Sequence, residues 1–371
     1  MKILILTNYA NGLWLFRKEL LIAFLEQGHD VYVSLPPDEN VKKLKDLQFS
    51  GKHINIIDTP FERRGNNPIK DFGLLMTYIK LLKKHKPDVV LTYTIKPNLY
   101  GGLACRFCKI PYICNITGLG TAIENGGLLS NILLKFYRIS MKGANRVFFQ
   151  NIRNKEFMNA HKVALKNSGI LPGSGVNLIT HPFEEYPSEK DGVNILAVIR
   201  IMKDKGIEEY LEAARILHEK NPKLMFWLVG EYEEETRDIY EPLISDMVKK
   251  GCLRYFGHID NVNEVMAQSH IIVHPSYHEG LSNVLLEAAA CARPVLAGKI
   301  NGCIETFDEG NSGYAFDIKD TDAIVKAVEK IMTLSEEQRA QMGAYGRKWV
   351  EDRFDRNIII EEYKKELKKI R

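Results

Sequence analysis

The sequence predicts an α/β protein of two domains, each a doubly wound parallel sheet flanked by helices. Three observations carry that expectation. The chain opens with a strand–helix–strand unit: a continuous apolar run over 2–6, a helix over 14–27 and a second apolar run over 31–35. The alternation continues to a strand over 147–150. It then breaks at the turn-rich stretch Pro172-Gly173-Ser174-Gly175-Val176-Asn177 and starts again over 194–199. At 371 residues the chain is long enough for two cores. The expected domains are residues 1–170 and 171–354.

Composition is that of an ordinary globular chain, 45% hydrophobic and 26% charged. No apolar run approaches the roughly 18 residues that a membrane-spanning helix requires. The opening apolar run over 3–6 is too short for a signal peptide, so the cytoplasm is expected. The six cysteines show no disulfide framework, and Cys105-Arg106-Phe107-Cys108 reads as helix packing without a metal. Net charge is +4, but residues 1–175 hold 25 Lys and Arg against 12 Asp and Glu, and the remainder 26 against 35. A basic half points to an anionic partner: a membrane surface or lipid diphosphate, with nucleic acid as the competing reading.

In the first helix Phe16, Leu20, Leu21, Phe24 and Leu25 share a face, and Gly28 closes it. The preceding turn, Asn8 to Leu13, contains only Gly12 rather than G-x-G-x-x-G, which disfavours a dinucleotide-binding dehydrogenase. A strand over 54–57, a helix over 72–85 and a strand over 89–91 follow. Thr94 to Asn98 then lies at a strand's C-terminal end, where open α/β sheets place ligands. Leu128 to Lys142 sets Leu128, Leu129, Ile132, Leu133, Phe136 and Ile139 at helical spacing among Lys135, Arg138 and Lys142. That pattern suits an interfacial membrane helix, and an ordinary core-facing helix shares it. Arg63, Arg64 and the lysines at 80, 83, 84 and 86 extend the basic face.

The second half opens with the strand over 194–199, followed by Arg200 and, five residues on, Lys205-Gly206 at the next helix start. That spacing offers two cations and helix amides to one diphosphate. A strand over 224–229 ends in Gly230-Glu231. The organising stretch is Pro275 to Ala288: a strand (271–273) stops at Pro275, a polar loop follows, and a helix starts at Ser282 or Asn283. The amides of that helix start suit a diphosphate, while Glu279 and Glu287 flank it about two turns apart. Amides for phosphate and acids for hydroxyls fit a nucleotide sugar.

Here the chain resembles the family 4 retaining glycosyltransferases. Glu279 and Glu287 match their E-x7-E motif. Arg200–Lys205, Gly230-Glu231, the loop at Gly257-His258, Gly302–Glu305 and Asn311–Gly313 follow the family order. The resemblance implies the GT-B fold: two Rossmann-like doubly wound domains facing a central cleft, with a last helix from about 355 to 371 crossing back to the first domain. It implies that Arg200 and Lys205 neutralise the departing diphosphate, that Glu279 holds sugar hydroxyls and that Glu287 holds the ribose diol. Gly280, Leu281, Ser282 and Asn283 would line the donor, with Gly230 and His258 near its base. Gly12, Lys96, Thr117 and Gly118 would lie on the acceptor side, Lys96 beside an acceptor diphosphate.

The implied reaction is a retaining, metal-independent transfer of a hexose or N-acetylhexosamine from a UDP-sugar to a lipid-linked (polyprenyl-diphosphate) saccharide. No metal, no other cofactor and no nucleic acid is expected, and the enzyme would sit peripherally on the inner face of the plasma membrane. A UDP-sugar 2-epimerase of the same architecture and a non-enzymatic binder of anionic surfaces are the alternatives.

Overall fold

Among the described residues, nine strands form in the first half: β1 (Lys2–Leu6), β2 (Asp30–Leu35), β3 (Gln48–Phe49), β4 (Lys52–His53), β5 (Asn55–Asp58), β6 (Val89–Tyr93), β7 (Tyr112–Ile116), β8 (Arg146–Phe149) and β9 (Ser168–Ile170). The computed structural model describes residues 1–62, 67–120, 123 and 126–370; Arg63 and Arg64 lie outside them. Seven strands form a parallel sheet in the order β5-β2-β1-β6-β7-β8-β9, while β3 and β4 make a separate antiparallel ribbon. In register, Ile3 lies between Val31 and Val89. Strand alternation sends Ile3, Ile5, Val31 and Val33 into one buried layer and Leu4, Leu6 and Val90 into the other. Burial on both faces is why these strands read as unbroken apolar runs.

The helix expected over 72–85 starts four residues early, at Pro68 behind an Asn67 cap, and two further helices differ from expectation. The first starts at Ala10, four residues early, and runs to Glu26. Tyr9 makes no side-chain cap there; Asp38 takes the Ala10 amide instead, at 2.7 Å, a partner that local pattern does not reveal. Gly12 therefore sits in a helical turn, and its Cβ-less face meets the Tyr9 ring. Inside this helix Arg17 is buried, with its guanidinium 5.4 Å from the Tyr93 ring centroid. The second difference is the helix Gly127–Met141. It packs through Leu134, Tyr137 and Met141, leaving Leu128, Leu129, Ile132, Phe136 and Ile139 exposed. The apolar face recognised from the sequence is the outer one.

The last helix, Arg356–Ile370, adds Ile359, Ile360, Tyr363 and Leu367 to the layer containing Ile3 and Phe24. By its contacts the chain divides into one unit of Met1–Ser174 and Asn357–Arg371 and another of Gly175–Arg356. The two crossover segments run side by side: Val176 N donates to Phe354 O and Arg356 N to Val176 O. Gly175 (φ +65°) allows this, because a Cβ there would lie 2.8 Å from Arg356 Cα.

The second unit holds β10 (Val193–Val198), β11 (Leu224–Val229), β12 (Leu253–Tyr255), β13 (Ile271–His274), β14 (Val295–Gly298) and β15 (Gly313–Phe316), all parallel in the order β12-β11-β10-β13-β14-β15. Arg293, fully buried, donates to the carbonyls of Glu184, Glu185, Met266, Ala267 and Ala292. It thereby ties the polar 184–185 segment into this unit. In both sheets the strand order reverses beside the first strand, at β1/β6 and at β10/β13. Such a reversal splays the following loops apart and opens a crevice at the strands' C-terminal ends.

Candidate functional site

In the second unit the loops after β10 and β13 meet at this crevice. Gly206 (φ +71°) begins the helix Ile207–Lys220, and a Cβ on it would lie 2.3 Å from Pro275 O. Tyr277 N donates to Asp204 O at 3.0 Å, so the two turns are fixed to each other. Lys205 is thereby brought to Glu279: its Nζ is 2.6 Å from Glu279 Oε1, 3.2 Å from Ser276 Oγ and 3.4 Å from His278 O. His274, the buried last residue of β13, approaches the same Oε1 through Nε2 at 3.1 Å. Burial pushes the Glu279 pKa up, but the His274 and Lys205 contacts outweigh it and hold it at about 2. The carboxylate is therefore ionised at neutral pH.

The helix Asn283–Ala290 starts where the sequence places it. Ser282 caps it, accepting from Leu285 N at 3.4 Å, while Ser282 N itself donates to Gly302 O at 2.7 Å. These two amides are engaged within the protein, so the helix start offers fewer donors to a ligand than expected. Gly302 (φ +80°) packs its backbone against Gly280 O, and its amide meets Glu305 Oε2 at 3.3 Å. Leu281 buries its side chain with Val176, Leu286, Val350 and Phe354, so its backbone is the part turned to the loop. Gly280 and Asn283 remain on the partly exposed rim, and Glu287, one turn along the same helix face from Asn283, is half-buried. Desolvation raises the Glu287 pKa to about 7, with Arg356 working against it.

Arg200 leaves the C-terminal end of β10. It is half-exposed and ion-paired with Glu233 beyond β11. His258 is exposed, its Nδ1 3.1 Å from Glu231 and its Nε2 3.4 Å from Asp260. Gly230 (φ +151°) is demanded by packing: a Cβ would lie 1.8 Å from Ile199 O. Its amide donates to Gly257 O, which places it between the ends of β10, β11 and β12.

The first unit's crevice holds a cavity of about 280 Å³ lined by Asn8, Phe61, Thr94, Ile95, Lys96, Asn98, Thr117, Gly118 and Gly120. Asn8 Oδ1 and Thr94 Oγ1 are buried there without a partner among the described residues. Thr94 adopts φ +70°, a strained conformation for a β-branched residue. Asn98 forms part of the floor through a ring of bonds, from Thr92 Oγ1 at 2.6 Å and to Asn115 O at 2.8 Å. Tyr363 donates to Asn115 Oδ1 and accepts from Tyr93 at 2.9 Å, so the last helix braces that floor. The Lys96 ammonium is instead committed to Asp71 Oδ1 at 2.8 Å, and Tyr100 holds the other carboxylate oxygen. Both side chains of that ion pair are largely buried, against the expectation of a lysine open to a diphosphate. His274, Asp71 and Glu233 escaped sequence reasoning; only the strand ending at His274 carried a local signal.

The family profile "Glycosyl transferases group 1" matches residues 180–349, and "Glycosyl transferase 4-like" matches 2–151. The chain belongs to the family 4 glycosyltransferases. Among characterised relatives, this glycosyltransferase is 27% identical to the N,N'-diacetylbacillosaminyl-diphospho-undecaprenol alpha-1,3-N-acetylgalactosaminyltransferase of Campylobacter jejuni, over 98% of each chain. It is 25% identical to the UDP-Gal:alpha-D-GlcNAc-diphosphoundecaprenol alpha-1,3-galactosyltransferase of Escherichia coli over 71% of each. The fold is GT-B. The glycosyltransferase of Rickettsia africae superposes with a TM-score of 0.82 at 19% identity, covering 100% of this chain and 98% of that one. Anabaena HepE in complex with UDP superposes at 0.81 and 16% identity over the whole of both chains.

Proposed function

We propose that this glycosyltransferase moves a hexose or N-acetylhexosamine from a UDP-sugar to a hydroxyl of a polyprenyl-diphosphate-linked saccharide, retaining the anomeric configuration and using no metal. The observation that carries the reading is the ionised Glu279 held on Lys205 at the β10/β13 reversal, directly before a helix N-terminus. A carboxylate there accepts sugar hydroxyls, while the ammonium and helix start face the diphosphate. Relatives named for diphosphoundecaprenol acceptors support the acceptor class. In the reaction the sugar C1–O bond to UDP breaks and the acceptor oxygen bonds C1 from the same face. The acceptor's proton passes to the leaving diphosphate, whose charge Lys205 and Arg200 offset.

The acceptor lipid gives the first unit a task at the bilayer. Three neighbouring helices expose apolar and basic groups together: Ile69, Phe72 and Met76 on Pro68–His85, Phe107 on Gly102–Cys108, and Leu128, Leu129, Ile132, Phe136 and Ile139 on Gly127–Met141. Lys83 Nζ lies 5.5 Å from the Phe107 ring centroid and Arg106 bonds Ile139 O, so the three form one face. With Lys80, Lys84, Lys109, Lys135, Arg138 and Lys142 exposed around it, this face suits an anionic leaflet and a peripheral enzyme on the inner plasma membrane. No helix among the described residues is long and apolar enough to cross a membrane.

The test is turnover with a panel of nucleotide sugars and lipid-linked acceptors, with and without chelator. UDP release from one donor, indifferent to chelator and reduced about a hundredfold in Glu279→Ala, is the expected result. Proton NMR of the product reports the anomer. Absence of release from every donor would overturn the reading.

A further inference from the structure

His274 ends a central strand and is 3% exposed, a position that an aliphatic side chain would fill without polar cost. Its Nε2 contacts Glu279 Oε1, while its Nδ1 is buried with no hydrogen-bond partner among the described residues. Because a carboxylate only accepts, Nε2 carries the proton in this contact. Lys205 donates to the same Oε1, so both groups that hold the carboxylate pull on one oxygen. The two partners differ in their freedom. Lys205 has three donors, bonds three acceptors and belongs to a short turn. His274 is locked in the sheet with one acceptor in reach.

Resting on the function proposed above, we propose that His274 is a positioning residue: its Nε2–H keeps Glu279 in one rotamer and hydrogen-bonded while Lys205 is shared with the donor's diphosphate. Without it, the half-buried carboxylate would lose its fixed partner at the moment the ammonium turns to phosphate. The low Glu279 pKa, held down by both contacts against burial, agrees with this geometry. A further titratable neighbour, the Cys303 thiol, is pushed up by burial and then by the Glu279 charge, so it stays neutral; Glu305 also faces it.

The two ring nitrogens make the idea testable. A glutamine amide nitrogen falls near the position of Nε2, whereas an asparagine reaches only that of Nδ1. His274→Phe is expected to lower kcat at least tenfold while UDP binds within twofold of wild type. His274→Gln should restore most of the rate and His274→Asn should not. A wild-type rate in His274→Phe, equal impairment of Gln and Asn, or a parallel loss of UDP affinity would each overturn the proposal. A readout independent of turnover is acid unfolding, followed by circular dichroism. The depressed Glu279 pKa contributes stability above pH about 4.5 that is lost as pH falls towards 2. His274→Phe and His274→Asn should begin that loss at higher pH than wild type and His274→Gln; coincident acid limbs would overturn the inference. If wild type turns over no nucleotide sugar, the proposed function fails, and the acid limbs still decide the role of His274.

Discussion

Two glutamates eight residues apart sit in opposite electrostatic surroundings. Glu279 has two donors on one oxygen and is held at about 2; Glu287 is raised to about 7 by burial, with the Arg356 charge working against it. For Glu287 the sign is adverse to folding at high pH. Between about pH 4.5 and 7 the folded state binds more protons than the unfolded one, so stability falls across that window by up to roughly 3 kcal/mol. Glu287→Gln should therefore melt higher than wild type at pH 8 and match it at pH 4.5, as thermal scans would show. The same variant should bind UDP about tenfold more weakly if the carboxylate holds the ribose diol; an unchanged affinity in calorimetry would remove that role. A glycine gives the third residue-scale expectation. Because any Cβ at Gly230 overlaps Ile199 O, Gly230→Ala should lower stability by about 3 kcal/mol or more, read as a depressed Tm.

At the scale of elements, the helix Gly127–Met141 presents its apolar residues outward and the helix Asn283–Ala290 presents its start to a crevice. Phe136→Glu with Ile132→Glu should abolish sedimentation with anionic vesicles and leave UDP binding unchanged. Equal sedimentation of both proteins would show that this face does not bind lipid. The elements themselves were largely legible, because strands buried on both faces must be apolar runs and helices between them must be amphipathic. The E-x7-E stretch was placed correctly for the same reason: Pro275 ends a strand and Ser282 caps a helix by local chemistry. What stayed hidden was pairing across long separations. Nothing near Lys96 announces Asp71, nothing near Arg200 announces Glu233, and His274 reads as one more residue of a buried strand. Which way the 127–141 helix turns its apolar stripe was equally hidden, since periodicity defines a stripe without saying what covers it.

Across the whole molecule, the most consequential feature is the return of Arg356–Ile370 to the first unit's core. Its Tyr363 reaches through Asn115 and Asn98 to the floor of the first-unit cavity. Tyr363→Phe removes that hydroxyl and leaves Asn115 short of a donor, so a loss of about 1–2 kcal/mol is expected from chemical denaturation, with UDP binding unchanged. The chain order adds a constraint in time. Residues 1–174 leave the ribosome first, yet the layer around Ile3 and Phe24 is incomplete until Ile359, Tyr363 and Leu367 have been synthesised, 185 or more residues later. The nascent first unit must wait with an open apolar slot while the entire second unit is made. Translation speed and chaperone occupancy during that interval, rather than the final free energy, then govern how much of the enzyme is recovered folded.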